Sequence, residues 1–151
     1  MSFFYAEAKR APKAKTRSNK GVIPINSLNA MGCNACPRQK DWPDLDSPQL
    51  EPEGADHPLA YLMGSGPNDD EDRTGRHWTG EAGSAILSKF SKGFMRNDLR
   101  FGHMTQCMPP AMPSGERDLT VDVVEIECCR SRVVDDIERM KPKVVIGVGD
   151  Q

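Results

Sequence analysis

The sequence predicts an α/β fold built on a parallel sheet, and three observations carry that prediction. Residues 59–63 (LAYLM) and 143–149 (KVVIGVG) are short, continuous apolar runs that end at glycine, as buried strands do. Helical spacing of apolar residues lies between them, over 80–94 and again over 121–140. Strands alternating with helices imply βαβ units, parallel pairing and right-handed crossovers.

Taken in order, residues 1–30 lack apolar periodicity and read as a mobile arm ahead of a single domain over 31–151. Residues 37–58 hold five prolines and no sustained period, so they read as an ordered or semi-ordered loop. The run at 59–63 is the first strand, and Gly64-Ser65-Gly66-Pro67-Asn68 turns the chain tightly after it. Ala82, Ala85, Ile86, Leu87 and Phe90 mark a helix that Gly93 would end. Residues 99–105 form a second strand, and the prolines of CMPPAMPSGERD impose a loop. Val121, Val124, Ile126, Val133, Val134, Ile137 and Met140 give the apolar side of a long helix stopped by Pro142. Residues 143–149 are the clearest strand. In such sheets ligands bind off the carboxyl ends of strands, which places the 64–68 turn and the segment from His103 to Cys107 at one crevice.

Composition narrows the class further. The 151 residues are 37% hydrophobic and 28% charged, with a mean hydropathy of −0.59, as expected of a water-soluble chain with some long loop or tail. No stretch approaches the roughly 20 apolar residues of a membrane span, and MSFFYAEAKRAPK lacks the basic-then-apolar order of a secretory signal. The expectation is a cytoplasmic protein with no membrane partner. The net charge of −2 conceals an asymmetry: Lys9, Arg10, Lys13, Lys15, Arg17 and Lys20 lie in a stretch without acids, whereas Asp69, Asp70, Glu71 and Asp72 are consecutive. A basic arm suits phosphate backbones, because neutralising phosphates releases counterions. A solvated tail without a ligand fits the same pattern.

Five cysteines in a reducing compartment suit ligands or core residues better than disulfides. Cys33 and Cys36 form a C-x-x-C pair, which serves zinc, redox or iron–sulfur chemistry. A zinc site commonly adds a second short-spaced pair, but Cys107 and Cys129 stand 22 positions apart. From the residues alone zinc, redox and iron–sulfur roles, or a coincidence of two unrelated thiols, all stay open.

Four pieces, GCNACPRQKDWPD, YLMGSGPNDDEDRTGRHWTGEAG, CMPP and CRSRVVDDIERMKPKVVIGVG, in this order resemble the iron–sulfur uracil-DNA glycosylases of the family 4 type, including their phage DNA-polymerase-related relatives. The resemblance runs over residues 32–149. It implies a three-layer α/β/α fold with a central parallel sheet, and a [4Fe–4S] cluster held by Cys33, Cys36, Cys107 and Cys129. Cys128, adjacent to Cys129, is the competing fourth ligand. Family members continue past the Gly-Val-Gly strand to a His-Pro-Ser-type loop that supplies a catalytic histidine, so the resemblance also implies a domain lacking its C-terminal part.

The resemblance assigns the site residues too. A glycosylase extrudes a base, stacks it, reads its edge and helps water attack the sugar. Gly64, Ser65, Gly66, Pro67 and Asn68 occupy the first active-site loop, where Ser65 replaces an acidic residue and cannot act as a carboxylate base. Trp78 takes the place of an aromatic that stacks on the base, against the plainer reading of a packing tryptophan. His103 stands where an asparagine reads uracil, and an imidazole cannot present an amide's paired donor and acceptor. Its plainer reading is a strand-end histidine. The implied activity is N-glycosidic hydrolysis of uracil in DNA, weak or lost, with Ser65 and His103 at the catalytic positions. The alternative is a non-catalytic DNA-binding or processivity module of a phage-type replication complex, partnered by a DNA polymerase or another replication protein.

Overall fold

The computed structural model describes residues 24–46, 49–90, 96–109 and 111–149. The basic stretch at 9–20 and the proposed helix stop at Gly93 lie outside them. Four helices and four strands follow one another as α1 (Ile25–Met31), β1 (Glu53–Gly54), β2 (Ala60–Gly64), α2 (Asp69–Thr74), α3 (Gly80–Leu87), β3 (Leu99–His103), α4 (Val123–Met140) and β4 (Val144–Gly147). Tight 3-10 turns fill Gly32–Ala35 and Pro37–Asp44, the second of them within the stretch expected to be loop.

The sheet order is β1-β3-β2-β4. β2 pairs in parallel with both β3 and β4, as the alternation of strands and helices predicts. The sheet is nonetheless mixed, because β1 runs antiparallel to β3. That correction has a simple cause. A two-residue pairing embedded in proline-rich chain has no periodicity to reveal it.

The pleat of the central strands separates two faces. Ala60, Leu62, Leu99 and Phe101 point to one side, where Trp78 joins them and Ile86 and Leu87 of α3 pack on top. Each fully buried Leu or Phe of this layer contributes about 1.5–3 kcal/mol relative to exposure. On the other side Arg100 Nε and Nη2 donate to the two carboxylate oxygens of Asp136 on α4, each at 2.7 Å. Burial raises the Asp136 carboxyl, but the bonds from Arg100 and Arg139 outweigh it and hold the group below its ordinary value. Helices therefore cover opposite faces, which is the expected α/β/α layering.

Capping explains where the helices begin. Asn68 and Glu71 form a reciprocal capping box at α2, and Asp122 and Glu125 form another at α4. The acidic run 69–72 thus occupies the first turn of α2, where the helix dipole favours negative charge. Gly75, left-handed at φ 65°, ends that helix.

Three sequence expectations need adjustment. The arm does not extend to residue 30, since Ile25–Met31 is helical and packs against α4 with Leu28 buried. The helix expected over 80–94 ends at Leu87 and continues as a turn through residue 90. Finally, β4 lies at a sheet edge with Val144 and Val145 exposed rather than buried on both faces. No helix among the described residues is long and apolar enough to cross a membrane.

Candidate functional site

The register of the sheet sets Gly64, the last residue of β2, opposite His103, the last of β3. The pairing continues into the loops: Met104 N donates to Gly64 O at 2.9 Å and Thr105 N to Ser65 O at 3.1 Å. Gly64 has to be a glycine, because a Cβ there would come within 2.6 Å of His103 Nδ1. The His103 ring accordingly fills the space that a side chain at position 64 would take.

A cavity of about 160 Å³ opens at this end of the sheet. Gly64, Ser65, Gly66, Asn68, Trp78 and His103 all line it, together with Glu71. Residues predicted from separated parts of the sequence are therefore brought to one place. Pro67 is buried in the same turn but does not line the cavity.

Glu71 is the residue that sequence reading missed. It is 2% exposed, and its carboxylate accepts from Asn68 N at 3.0 Å, from Trp78 N, and from His103 Nε2, which lies 3.2 Å from both oxygens. Burial pushes its pKa up, yet the hydrogen bonds from His103, Trp78 and Asn68 win and lower it. Glu71 is thus an ionised acceptor, so His103 Nε2 carries a proton and donates. In the neutral imidazole Nδ1 is then a bare lone pair, and it has no hydrogen-bond partner. The N-x-x-E spacing from Asn68 to Glu71 was the legible signal for this residue.

Trp78 is buried and its backbone is left-handed at φ 53°, a conformation that is strained for a bulky residue. Two contacts hold it there: its N–H on Glu71, and the close approach of its carbonyl to α3. Its indole lies 6.0 Å from the His103 ring at 26°, an offset stack. On the far side His77 packs 4.7 Å from His103. Burial, then the neighbouring His103, pushes the His77 pKa down to about 4, so it is neutral at physiological pH.

The approach of α3 rests on Gly83, where a Cβ would lie 2.1 Å from the Trp78 carbonyl oxygen. Neither group is the end of a flexible side chain, so the backbone has to move. Gly83→Ala is expected to cost about 1–3 kcal/mol, the usual range for overpacking. Thermal unfolding checks it, and a changed Trp78 environment in near-ultraviolet circular dichroism should accompany the loss.

The cysteines form a second group behind the turn. Arg132 Nη2 lies 3.1 Å from Cys33 Sγ and 3.6 Å from Cys129 Sγ, while Gln49 Nε2 donates to Cys33 Sγ at 3.4 Å. Cys107 is pushed up to about 12, first by burial and then by the proximity of Cys129, Cys36 and Cys33. Cys128 is also buried beside Cys36, on the neighbouring position of α4. All five are free thiols. Among the described residues no three cysteine sulfurs lie within 4.8 Å of one another, whereas zinc bonds of 2.3 Å hold tetrahedral sulfurs about 3.8 Å apart.

Arg38 ties the cysteine segments together. Fully buried, it donates to Glu125 Oε2 at 2.7 Å, to the Cys107 carbonyl and, at 3.4 Å, to Thr105 Oγ1.

Comparison with known proteins gives the same direction. The family model of the uracil DNA glycosylase superfamily matches residues 51–151, two thirds of the chain. The chain belongs to that superfamily. Among its relatives is a type-4 uracil-DNA glycosylase of Thermotoga maritima, 26% identical over 129 residues, covering 85% of this chain and 62% of the relative. Another, from Pyrobaculum aerophilum, is 26% identical over 118 residues, covering 78% of this chain and 55% of the relative. A third, from Archaeoglobus fulgidus, reaches 30% over 89 residues, 58% of this chain and 42% of the relative. The matches thus span between about two fifths and three fifths of the length of these relatives.

Proposed function

We propose that the chain carries the base-binding cleft of a uracil-DNA glycosylase-like protein and acts on DNA. The observation that carries this reading is the convergence of the 64–68 turn, Trp78 and His103 on one cavity at the carboxyl ends of two parallel strands. In this reading the backbone of residues 64–68 receives an extruded nucleotide, the indole of Trp78 provides its stacking surface, and His103 meets its edge. The buried Glu71 is a positioning residue: by accepting from His103 Nε2 it fixes the orientation of the ring. An imidazole cannot present an amide's paired donor and acceptor, so discrimination among bases is weaker than an amide would give.

Cys33, Cys36, Cys107 and Cys129 are the proposed holders of a [4Fe–4S] cluster. The donor chemistry fits: four thiols from three segments, and a guanidinium from Arg132 beside two of them to offset thiolate charge. Cys129 is favoured over Cys128 because it shares Arg132 with Cys33. The cluster supplies a cross-link between the 33–36 turn, the loop after β3 and α4, and no bond-breaking step is assigned to it.

Hydrolysis is expected to be slow. Ser65 offers no carboxylate, and Glu71, the acid lining the cavity, is occupied by three N–H donors and has little capacity left to activate water. That saturation favours the second reading, a DNA-binding module of a replication complex that uses the cleft and the basic stretch at 9–20 without chemistry. Uracil release from single-stranded DNA, measured alongside equilibrium binding, separates the two. Abasic-site formation supports the enzyme, binding without release supports the module, and failure of both removes the proposal.

A further inference from the structure

The His77, His103 and Glu71 side chains form a cluster that base recognition does not explain. One ring nitrogen of each histidine and one carboxylate oxygen of Glu71 lie within 4.8 Å of one another, and all three residues are buried. We propose that these residues form a binding site for a zinc-class divalent cation at the floor of the cleft, separate from the cysteine cluster.

Four features point to a cation. His77 is 0% exposed, and its Nε2 lies 3.0 Å from the Glu51 carbonyl, to which it donates. The nitrogen left over, Nδ1, is a buried lone pair with no partner. A histidine whose far nitrogen is anchored to a backbone carbonyl, with the near one bare, has the arrangement usual for metal-ligating imidazoles. The carboxylate is fixed in advance by Asn68 N and Trp78 N, and of its roughly four lone-pair positions three are taken, which leaves one.

The dimensions need little adjustment. Zinc bonds of 2.0–2.1 Å set tetrahedral ligand atoms about 3.3 Å apart. His103 Nε2 and Glu71 already stand at 3.2 Å, and the His77 nitrogen, within 4.8 Å of both, has to draw closer. The cation takes the position of the proton that His103 Nε2 shares with Glu71, and that proton moves to Nδ1 of the same ring. Two imidazoles with one carboxylate select zinc, cobalt or nickel over magnesium or calcium, which prefer all-oxygen sites. Because His103 and Glu71 line the cavity, an occupied site places the cation's charge at the cleft and turns the free ring nitrogen of His103 into a donor.

Histidine-selective NMR during zinc titration tests this directly, since the chain has three histidines and His57 is exposed and distant from the cluster in sequence. The iron-loaded protein is used, so that the cysteines do not compete. One equivalent of Zn²⁺ is expected to move the His77 and His103 resonances and leave His57 unchanged. Co²⁺ should give visible bands without the thiolate charge-transfer band that cobalt at cysteines adds, and His77→Gln should weaken its binding at least about tenfold. Movement of His57 alone, thiolate bands alone, or unchanged affinity in a folded His77→Gln protein would overturn the site. None of these readouts depends on uracil chemistry, so the cation site and the glycosylase reading fail separately.

Discussion

Arg38→Met is expected to destabilise the protein by about 3–5 kcal/mol, the usual cost of leaving one partner of a buried ion pair alone. Arg38 is 1% exposed and Glu125 has only its edge in solvent, so water cannot replace the lost guanidinium. The damage extends beyond the pair. Arg38 follows Cys36 by two residues, holds the Cys107 carbonyl, and meets α4 through Glu125, which also caps the helix by accepting from Asp122 N at 3.0 Å. One substitution therefore loosens three segments that carry cysteines. Denaturant unfolding of Arg38→Met, Glu125→Gln and the double variant measures the coupling. The double variant should recover part of the loss, because no buried charge is then left unpaired. Additive losses would show that the ion pair is not the origin of the effect.

The second large effect concerns the fourth thiol. Cys129→Ser is expected to abolish the brown colour and the bound iron of protein purified without oxygen, whereas Cys128→Ser retains both. The two residues are adjacent on α4, so a helix defect would affect them alike, and only the facing of the side chains differs. Cys129 Sγ shares the Arg132 guanidinium with Cys33 Sγ. Iron and sulfide analysis of the two variants checks the assignment. Loss of iron in Cys128→Ser with retention in Cys129→Ser would reverse it.

Much of this arrangement is legible in the sequence because its signals are local. Apolar runs ending in glycine gave β2 and β4, and the parallel pairing followed from the helices between them. The ends of β2 and of the strand expected over 99–105 then located the 64–68 turn and His103 at one crevice. What stayed hidden depends on tertiary contact. β1 is only two residues long, and α1 lacks a side-chain cap, so neither carries a periodic or capping signature. Glu71 sat within an acidic run that reads as a solvated surface, and only the fold shows that two of its four acids are buried. Likewise His77 carries no sequence pattern, since its meaning comes from the Glu51 carbonyl on one side and His103 on the other.

The central claim is that an extruded base rests on Trp78 in this cleft. It is tested most directly by comparing affinities for two single-stranded oligonucleotides, one carrying a non-hydrolysable 2′-fluoro deoxyuridine and one an abasic analogue at the same position. The native protein should prefer the base-bearing strand by about 5- to 150-fold, the equivalent of one stacked base, and Trp78→Leu should abolish that preference while keeping the affinity for the abasic strand. Equal affinity of the native protein for both strands, or a preference that survives in Trp78→Leu, would contradict it.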